Sequence, residues 1–469
     1  MTPPGDGSPG DGPPGGDRPG DSPPGGDRPD DSLPGDSLPG DDRPGDDLVE
    51  GDRVELRVGA PAHGGHCVAR LGGPHGRVVF VRHALPGELV TAEVTELHRG
   101  YLRADAVLVH EPSPDRVAAP CPWAGPGACG GCDLQHVAEQ AQRDWKAAVV
   151  REALARVGRL PADRIDALGV LVEPLPGGPL GWRTRVRYAV DAAGRAGLLQ
   201  HRSHQVVPID RCRIAHPALQ DLDVTTRRWP DADAVEVVAS TGGDVSVAVR
   251  GAASVPAPTD DLRGDDPGGV ASGGARTQLT GPARVREVAA GRDWQVPADG
   301  FWQVHPAAPQ TLVAAVLEAL RPAPGEIAWD LYGGAGLFAA ALAERTGART
   351  TVVESSPTGV AAARANLADL SGVEVVAAKV EVALARRRVT GPVDLVVLDP
   401  PRTGAGARVV RAVAAARPRA VAYVACDPVA LARDVATFAD AGWRLAQLRA
   451  FDCFPMTHHV ECVALLLPG

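Results

Sequence analysis

Two residues near the end of the chain have the chemistry of a nucleophile and a base. Cys426 follows Tyr423-Val424-Ala425 and precedes Asp427-Pro428, so it sits where a strand stops. In open α/β sheets that carboxyl edge is where ligands bind, and a thiolate is a good nucleophile even at a modest ionised fraction. Taken alone, a cysteine there packs into a core more often than it reacts. Glu461 precedes the apolar run Cys462-Val463-Ala464-Leu465-Leu466-Leu467. Its plain reading is a surface charge at a strand start, and its chemical reading is a general base held over a site. His458 and His459 stand close enough in sequence to orient it, although such loop pairs are more often simply exposed.

A second group of residues has the makings of a cofactor pocket. Asp330-Leu331-Tyr332-Gly333-Gly334-Ala335-Gly336-Leu337-Phe338 reads as a strand, a glycine loop and a helix start. Glycines let a ligand approach the backbone closely. Glu354 lies 24 residues after Asp330, at the end of the next strand, where an acidic group accepts hydrogen bonds from ribose hydroxyls. The loop alone leaves a dinucleotide open. Asp330 before the loop, and Asp399-Pro400-Pro401-Arg402 after the fourth strand, shift the balance toward S-adenosylmethionine. A pyrophosphate gains nothing from those carboxylates, whereas a cationic sulfonium tolerates them.

A third group is a metal signal. Cys121, Cys129 and Cys132 are spaced C-x7-C-x2-C around Gly130-Gly131, and Cys212, in Asp210-Arg211-Cys212-Arg213, is a plausible distant fourth ligand. Four thiolates suit tetrahedral zinc and an iron–sulfur cluster alike, and spacing does not separate them. Eight cysteines in 469 residues are too sparse for a disulfide framework, and Cys67, without such neighbours, reads as packing.

The elements that must carry these groups follow from composition. The formal charge of −10 belongs to the first fifty residues, which hold thirteen acidic and three basic side chains with twelve Pro and twelve Gly. The other 419 residues carry 45 of each sign, so acidity does not argue against a nucleic-acid partner. A tail of this kind has almost nothing to bury, so 1–48 is expected to be disordered. It has no signal-peptide pattern, and no segment offers ~18 uninterrupted apolar residues for a membrane span. A soluble, cytoplasmic protein is expected.

Short alternating runs over 49–110, such as Val54–Val58, Arg77–Val81 and Glu88–Val94, predict a small β-barrel. Arg70, Arg77, Arg82, Arg99 and Arg103 with Tyr101 offer it an RNA face. Residues 111–290 form a central domain with the cysteines, a helical stretch at 133–158 and a flexible insertion at 251–283. Arg183, Arg185 and Arg187 there share one side of a strand, where they would track phosphates. From 291 to 469, strands Ile327–Asp330, Thr350–Glu354, Asp394–Asp399 and Val421–Ala425 alternate with Ala-rich helices, predicting a parallel sheet covered on both faces.

Taken in order, these motifs resemble the RNA uracil-5-methyltransferase family, in its iron–sulfur branch that modifies 23S ribosomal RNA. The resemblance runs from about residue 50 to the end, and includes Ala84-Leu85-Pro86-Gly87-Glu88 in a TRAM-like barrel and Phe301-Trp302-Gln303-Val304. It implies an α/β fold: a Rossmann-like methyltransferase domain, an N-terminal TRAM barrel and a central β-rich iron–sulfur domain. It implies Gln303, Tyr332, Gly334, Gly336, Glu354 and Asp399 at S-adenosylmethionine, Cys426 as nucleophile and Glu461 as base. Cys121, Cys129, Cys132 and Cys212 fall where that branch holds a [4Fe–4S] cluster. The expected partner is RNA, ribosomal before transfer RNA, met by a monomer; transfer RNA, or RNA binding without catalysis, are the alternatives. The chain departs from the family pattern at His305 and Leu337, each where Asn is usual, at Gly333, where Cys is common, and at Asp427, which replaces the Asn after the nucleophile.

Overall fold

The computed structural model describes residues 47–251 and 274–469. The expected disordered tail, apart from its last two residues, and most of the expected flexible insertion lie outside the described residues. The end of that insertion is ordered, which corrects the reading of 251–283 as one flexible stretch. Arg276–Thr280 is a strand paired with Val245–Gly251, because Gln278 Nε2 donates to Ser246 Oγ at 2.8 Å and Arg276 Nε pairs with Glu236 at 3.1 Å.

The barrel is closed from β1 (Arg53–Ala62), β2 (His66–Leu71), β3 (Arg77–Arg82), β4 (Leu89–His98) and β5 (Tyr101–Glu111), in the order β1-β2-β3-β5-β4. Side chains alternate across each strand, so Leu56, Val58, Val79, Val81, Val90, Ala92, Leu102 and Ala104 fill one interior. Arg82, expected on the RNA face, is buried instead and donates to Asp133 Oδ1 at 3.1 Å. A buried guanidinium must find a carboxylate, and that carboxylate lies outside the barrel.

After α1 (Glu139–Arg156), α2 (Ala162–Leu168) and β6 (Val172–Pro174), the central sheet is built from β7 (Arg185–Val190), β8 (Ala196–Leu199), β9 (Val206–Pro208), β10 (Ala232–Ala239), β11 (Val245–Gly251) and β12 (Arg276–Thr280). A helical turn, α3 (Pro217–Gln220), lies between β9 and β10, and a hairpin, β13 (Arg284–Ala289) with β14 (Arg292–Pro297), follows the sheet. Arg185 does not track phosphates. It is largely buried, pairs with Glu287 at 3.3 Å and donates to the carbonyls of Pro297, Ala298 and Gly300. It therefore clamps the loop that leads to Gln303.

The remaining elements are α4 (Ala308–Leu320), β15 (Ala328–Leu331), α5 (Leu337–Thr346), β16 (Thr350–Glu354), α6 (Pro357–Asn366), β17 (Val373–Ala377), α7 (Val380–Ala385), β18 (Leu395–Leu398), α8 (Gly406–Ala416), β19 (Ala420–Ala425), α9 (Pro428–Asp440), β20 (Trp443–Asp452) and β21 (Glu461–Pro468). They form an eight-stranded sheet ordered β17-β16-β15-β18-β19-β21-β20-β6. Its parallel strands are continuous apolar runs because helices cover both faces: α4, α5 and α6 pack on one, α1, α7, α8 and α9 on the other. The strand order reverses between β15 and β18, and a crevice opens outside the carboxyl ends at such a point. Helix α1 and strand β6, expected within the central domain, belong to this sheet and its core.

Lys146 of α1 is fully buried against β20, with its Nζ 2.6 Å from Asp452 Oδ1 and 3.1 Å from the Phe454 carbonyl. Removing one partner of a buried pair leaves an uncompensated charge. Lys146→Met is expected to cost about 3–5 kcal/mol in urea unfolding; a loss below about 1 kcal/mol would mean that Asp452 finds another partner. Among the described residues, no helix is long and apolar enough to cross a membrane.

Candidate active site

The loop after β15 turns on left-handed backbone at Tyr332 (φ 70°), Gly334 (φ 52°) and Gly336 (φ 96°). Gly336 caps α5, and a Cβ there would lie 2.6 Å from Leu367 Cδ1. At Gly333 a Cβ would come within 2.5 Å of Val352 Cγ1, so any larger residue there would force Val352 to shift. Leu337 packs into the core.

Three carboxylates surround this loop. Asp330 is fully buried; its Oδ2 accepts from the Ala339 amide at 2.9 Å, while its Oδ1 has no hydrogen-bond partner among the described residues. Burial pushes its pKa up to about 7, and Glu354 adds to the rise. Asp399, at the end of β18, is likewise pushed up to about 7 by burial and by Asp330. Glu354 Oε2 accepts from Gly334 N at 2.9 Å, and its Oε1 accepts from Ser355 N and Ser356 N at 2.7 and 2.6 Å. It thus ties the glycine loop to the start of α6. A cavity beside it is lined by Ser355, Pro357, Val360, Ala361, Arg364, Ala377 and Ala378. Gln303 is buried next to Trp302. His305 is buried and stacked on Trp182, with Nδ1 accepting from Ala307 N at 3.2 Å; burial lowers its pKa to about 4.

Cys426 and Glu461 meet through sheet register. Strands β19 and β21 run antiparallel with Ala425 opposite Cys462, so the next pair along is Cys426 and Glu461. Side chains directly opposite on such a ladder share a face. Glu461 is buried, and burial with Asp399 nearby raises its pKa well above the carboxylate range, against the pull of Arg402. The Cys426 thiol is also pushed up, by burial, then Glu461 and Asp399, with Arg402 opposing. A carboxyl group, a thiol and a guanidinium therefore face one another at the carboxyl edge.

Three contacts that support the site were missed in the sequence. Asp434 on α9 accepts at one oxygen from Tyr423 OH (2.6 Å), Ala405 N (2.8 Å) and Gly406 N (3.1 Å), which sets the loop bearing Asp399 and Arg402. Arg402 Nη2 meets His459 Nε2 at 3.2 Å. Asp133, beside Cys132, holds His458 Nδ1 at 2.6 Å. The two histidines thus hold Asp133 and Arg402, and their bonds do not go to Glu461. An acidic residue on the apolar face of α9 was the one clue to Asp434; the others join residues far apart in sequence.

Cys121, Cys129, Cys132 and Cys212 line one cavity, together with Arg183, Arg211 and Arg213. Burial raises the thiols of Cys121, Cys129 (to about 11) and Cys132. Among the described residues, no three His, Cys, Asp or Glu side chains are arranged to hold a single metal ion.

Comparison with known proteins follows this geometry. The TRAM domain family matches residues 48–107, and the tRNA (Uracil-5-)-methyltransferase family matches residues 289–468. An uncharacterized RNA methyltransferase of Streptomyces avermitilis is 48% identical over 436 residues, covering 89% of this chain and 99% of its own. One from Bifidobacterium longum is 39% identical over 440 residues, covering 88% and 96%. In fold, the chain is similar to the crystal structure of a Pyrococcus abyssi tRNA (uracil-54, C5)-methyltransferase in complex with S-adenosyl-L-homocysteine. The TM-score is 0.63 at 24% identity, covering 88% of this chain and 100% of that one. With near-complete relatives at this identity and both family regions in the same order, the chain belongs to the TRAM-bearing RNA (uracil-5-)-methyltransferase family.

Proposed function

We propose that the protein methylates carbon 5 of a uridine in structured RNA, 23S ribosomal RNA first, through a covalent adduct with Cys426. The observation that carries this reading is the cross-strand juxtaposition of Cys426 with Glu461 beside Asp399 and Arg402. Carbon 5 of uracil is a weak nucleophile. Addition of the Cys426 thiolate at carbon 6 makes an enolate whose carbon 5 takes the methyl group as the donor's sulfur–methyl bond breaks, leaving S-adenosylhomocysteine. Glu461 then accepts the carbon-5 proton, and elimination returns the thiolate. The target base must leave its stack to reach this crevice.

Bound S-adenosylmethionine supplies an electrophilic methyl on a cationic sulfonium. The residues fit it: Asp330 presents an unpartnered buried oxygen, Asp399 stands beside it, and Glu354 borders a cavity at the next strand end. Gln303, Tyr332, Gly334 and Gly336 are the further donor-binding residues of this proposal. Carboxylates near pH 7 make donor binding proton-linked. As pH rises through about 7, Asp330 and Asp399 ionise and attract a cation, so affinity for S-adenosylmethionine should rise several-fold between pH 6 and 8. The neutral thioether S-adenosylhomocysteine should respond far less. Calorimetry with both ligands checks this, and parallel pH profiles would count against a role for the two carboxylates.

We further propose that Cys121, Cys129, Cys132 and Cys212, which line one cavity, would hold a [4Fe–4S] cluster. Four thiols in one cavity are the donor set such a cluster would take, and Arg183, Arg211 and Arg213 would offset its thiolate charge. Anaerobically purified protein should be brown, and a colourless zinc protein would overturn this assignment.

Transfer RNA is the second substrate reading, favoured by the name of the matching family and by the substrate of the Pyrococcus abyssi enzyme. Mass mapping of 5-methyluridine in 23S ribosomal and transfer RNA from a deletion strain decides between them. Loss confined to 23S RNA supports the first reading, loss confined to transfer RNA the second, and loss from neither refutes both.

A further inference from the structure

The β1–β2 hairpin of the barrel reaches the nucleophile loop. Its tip is His63-Gly64-Gly65, and His63 Nε2 lies 2.8 Å from Asp427 Oδ2, across 364 positions of sequence. Asp427 Oδ1 accepts from the Ala430 amide at 2.7 Å, capping α9. One carboxylate thus bonds the barrel with one oxygen and the catalytic helix with the other, immediately after Cys426.

Two more contacts seat the hairpin. A Cβ on Gly65 would fall 2.8 Å from the Cβ of Asp133, so the tip lies flush on the residue that holds His458 and Arg82. The His63 and His458 rings meet edge to face at 6.1 Å. A neutral Asn at position 427 would cap α9 as well. Capping alone does not call for a charge at 427.

Charge at this point has a consequence. The groups facing Cys426 are Glu461 and Cys462 on β21, Asp399 and Arg402 after β18, and Asp427 in its own loop. Arg402 favours the thiolate, and each of the three carboxyl groups disfavours it once ionised. His63 faces Asp427 and the His458 ring, and it brings Asp427 a partner from another domain.

We propose that His63 is a positioning residue for the nucleophile. By pairing with Asp427, it docks the barrel on the catalytic loop and offsets the carboxylate adjoining Cys426, so the barrel takes part in methyl transfer besides holding RNA. An ordinary surface ion pair is the competing account, worth little in stability and nothing to the thiolate. The inference rests on the reading of Cys426 as nucleophile, and its test separates the two.

The test uses full-length wild type, His63→Ala, His63→Gln, Asp427→Asn and the double variant His63→Ala/Asp427→Asn. Without RNA, the rate of Cys426 alkylation by iodoacetamide is followed against pH from the mass of the Cys426 peptide. With RNA, kcat and KM are measured on 23S ribosomal and transfer RNA transcripts. His63→Ala should move the alkylation midpoint up by about one pH unit, a tenfold loss of thiolate below it. It should lower kcat about tenfold with KM for the methyl donor unchanged. His63→Gln, which keeps a hydrogen bond, should recover part of kcat. In the Asp427→Asn background, removing His63 should change neither quantity. A wild-type midpoint and kcat in His63→Ala, or an equal loss in the double variant relative to Asp427→Asn, overturns the inference. Methylation that survives Cys426→Ala instead refutes the nucleophile reading, whatever the alkylation shows.

Discussion

Cys426→Ala is expected to abolish uridine methylation, lowering single-turnover rates by about 10⁴-fold or more, as removal of a covalent nucleophile does elsewhere. The thiol stands opposite Glu461 across β19 and β21, at the carboxyl edge where the crevice opens. Cys426 is partly accessible, and alanine removes one sulfur from a strand end without touching the backbone ladder. Folding and donor affinity should therefore stay near wild type, which separates a chemical loss from a structural one. Residual methylation above about 1% of wild type would sink the covalent route. It would leave direct attack by the base as the remaining path, with Glu461 still required.

Glu461→Gln should stop the reaction after methyl transfer. In the proposed mechanism the base acts last, so the cysteine adduct should form and fail to eliminate. Turnover is expected to fall by about 10³-fold, within the range for a general base, while a denaturant-stable protein–RNA band accumulates on gels. Glutamine is close in shape to glutamate and carries no charge. Because burial raises the Glu461 pKa, its ionised form costs folding free energy at neutral pH. That cost is absent below the unfolded value and grows as pH rises, so the Glu461→Gln variant should be at least as stable as wild type at pH 7. Retained turnover, or lost turnover with neither adduct nor methylated product, would remove Glu461 from this role.

Much of the architecture was legible because its signals are local. The buried parallel strands are continuous apolar runs, and Thr350–Glu354 begins and ends where the sequence pattern put it. The barrel strands alternate with period two, and the glycine loop leads into α5 as read. Boundaries between domains were less legible. Helix α1 has the weak amphipathic pattern of a helix covered on several sides, and nothing in its residues states which sheet it joins. The arginines misled for a related reason. Arg82 and Arg185 look like phosphate ligands in a linear pattern, yet each is buried against a carboxylate, 51 and 102 positions away.

The sequence by itself determined the kinds of chemistry present: a strand-end thiol, an acid before the last strand, a glycine loop flanked by carboxylates, and four cysteines in a metal-like pattern. Residue type and short spacing carry that information, because nucleophilicity, backbone freedom and ligand softness belong to the residues themselves. Only the tertiary structure decided which of these groups meet. Antiparallel register sets Cys426 against Glu461, Asp133 reaches His458 across 325 positions, and the barrel's His63 reaches Asp427 across 364. Such pairings depend on how whole sheets pack, and a long-range ion pair has no period in the chain to announce it.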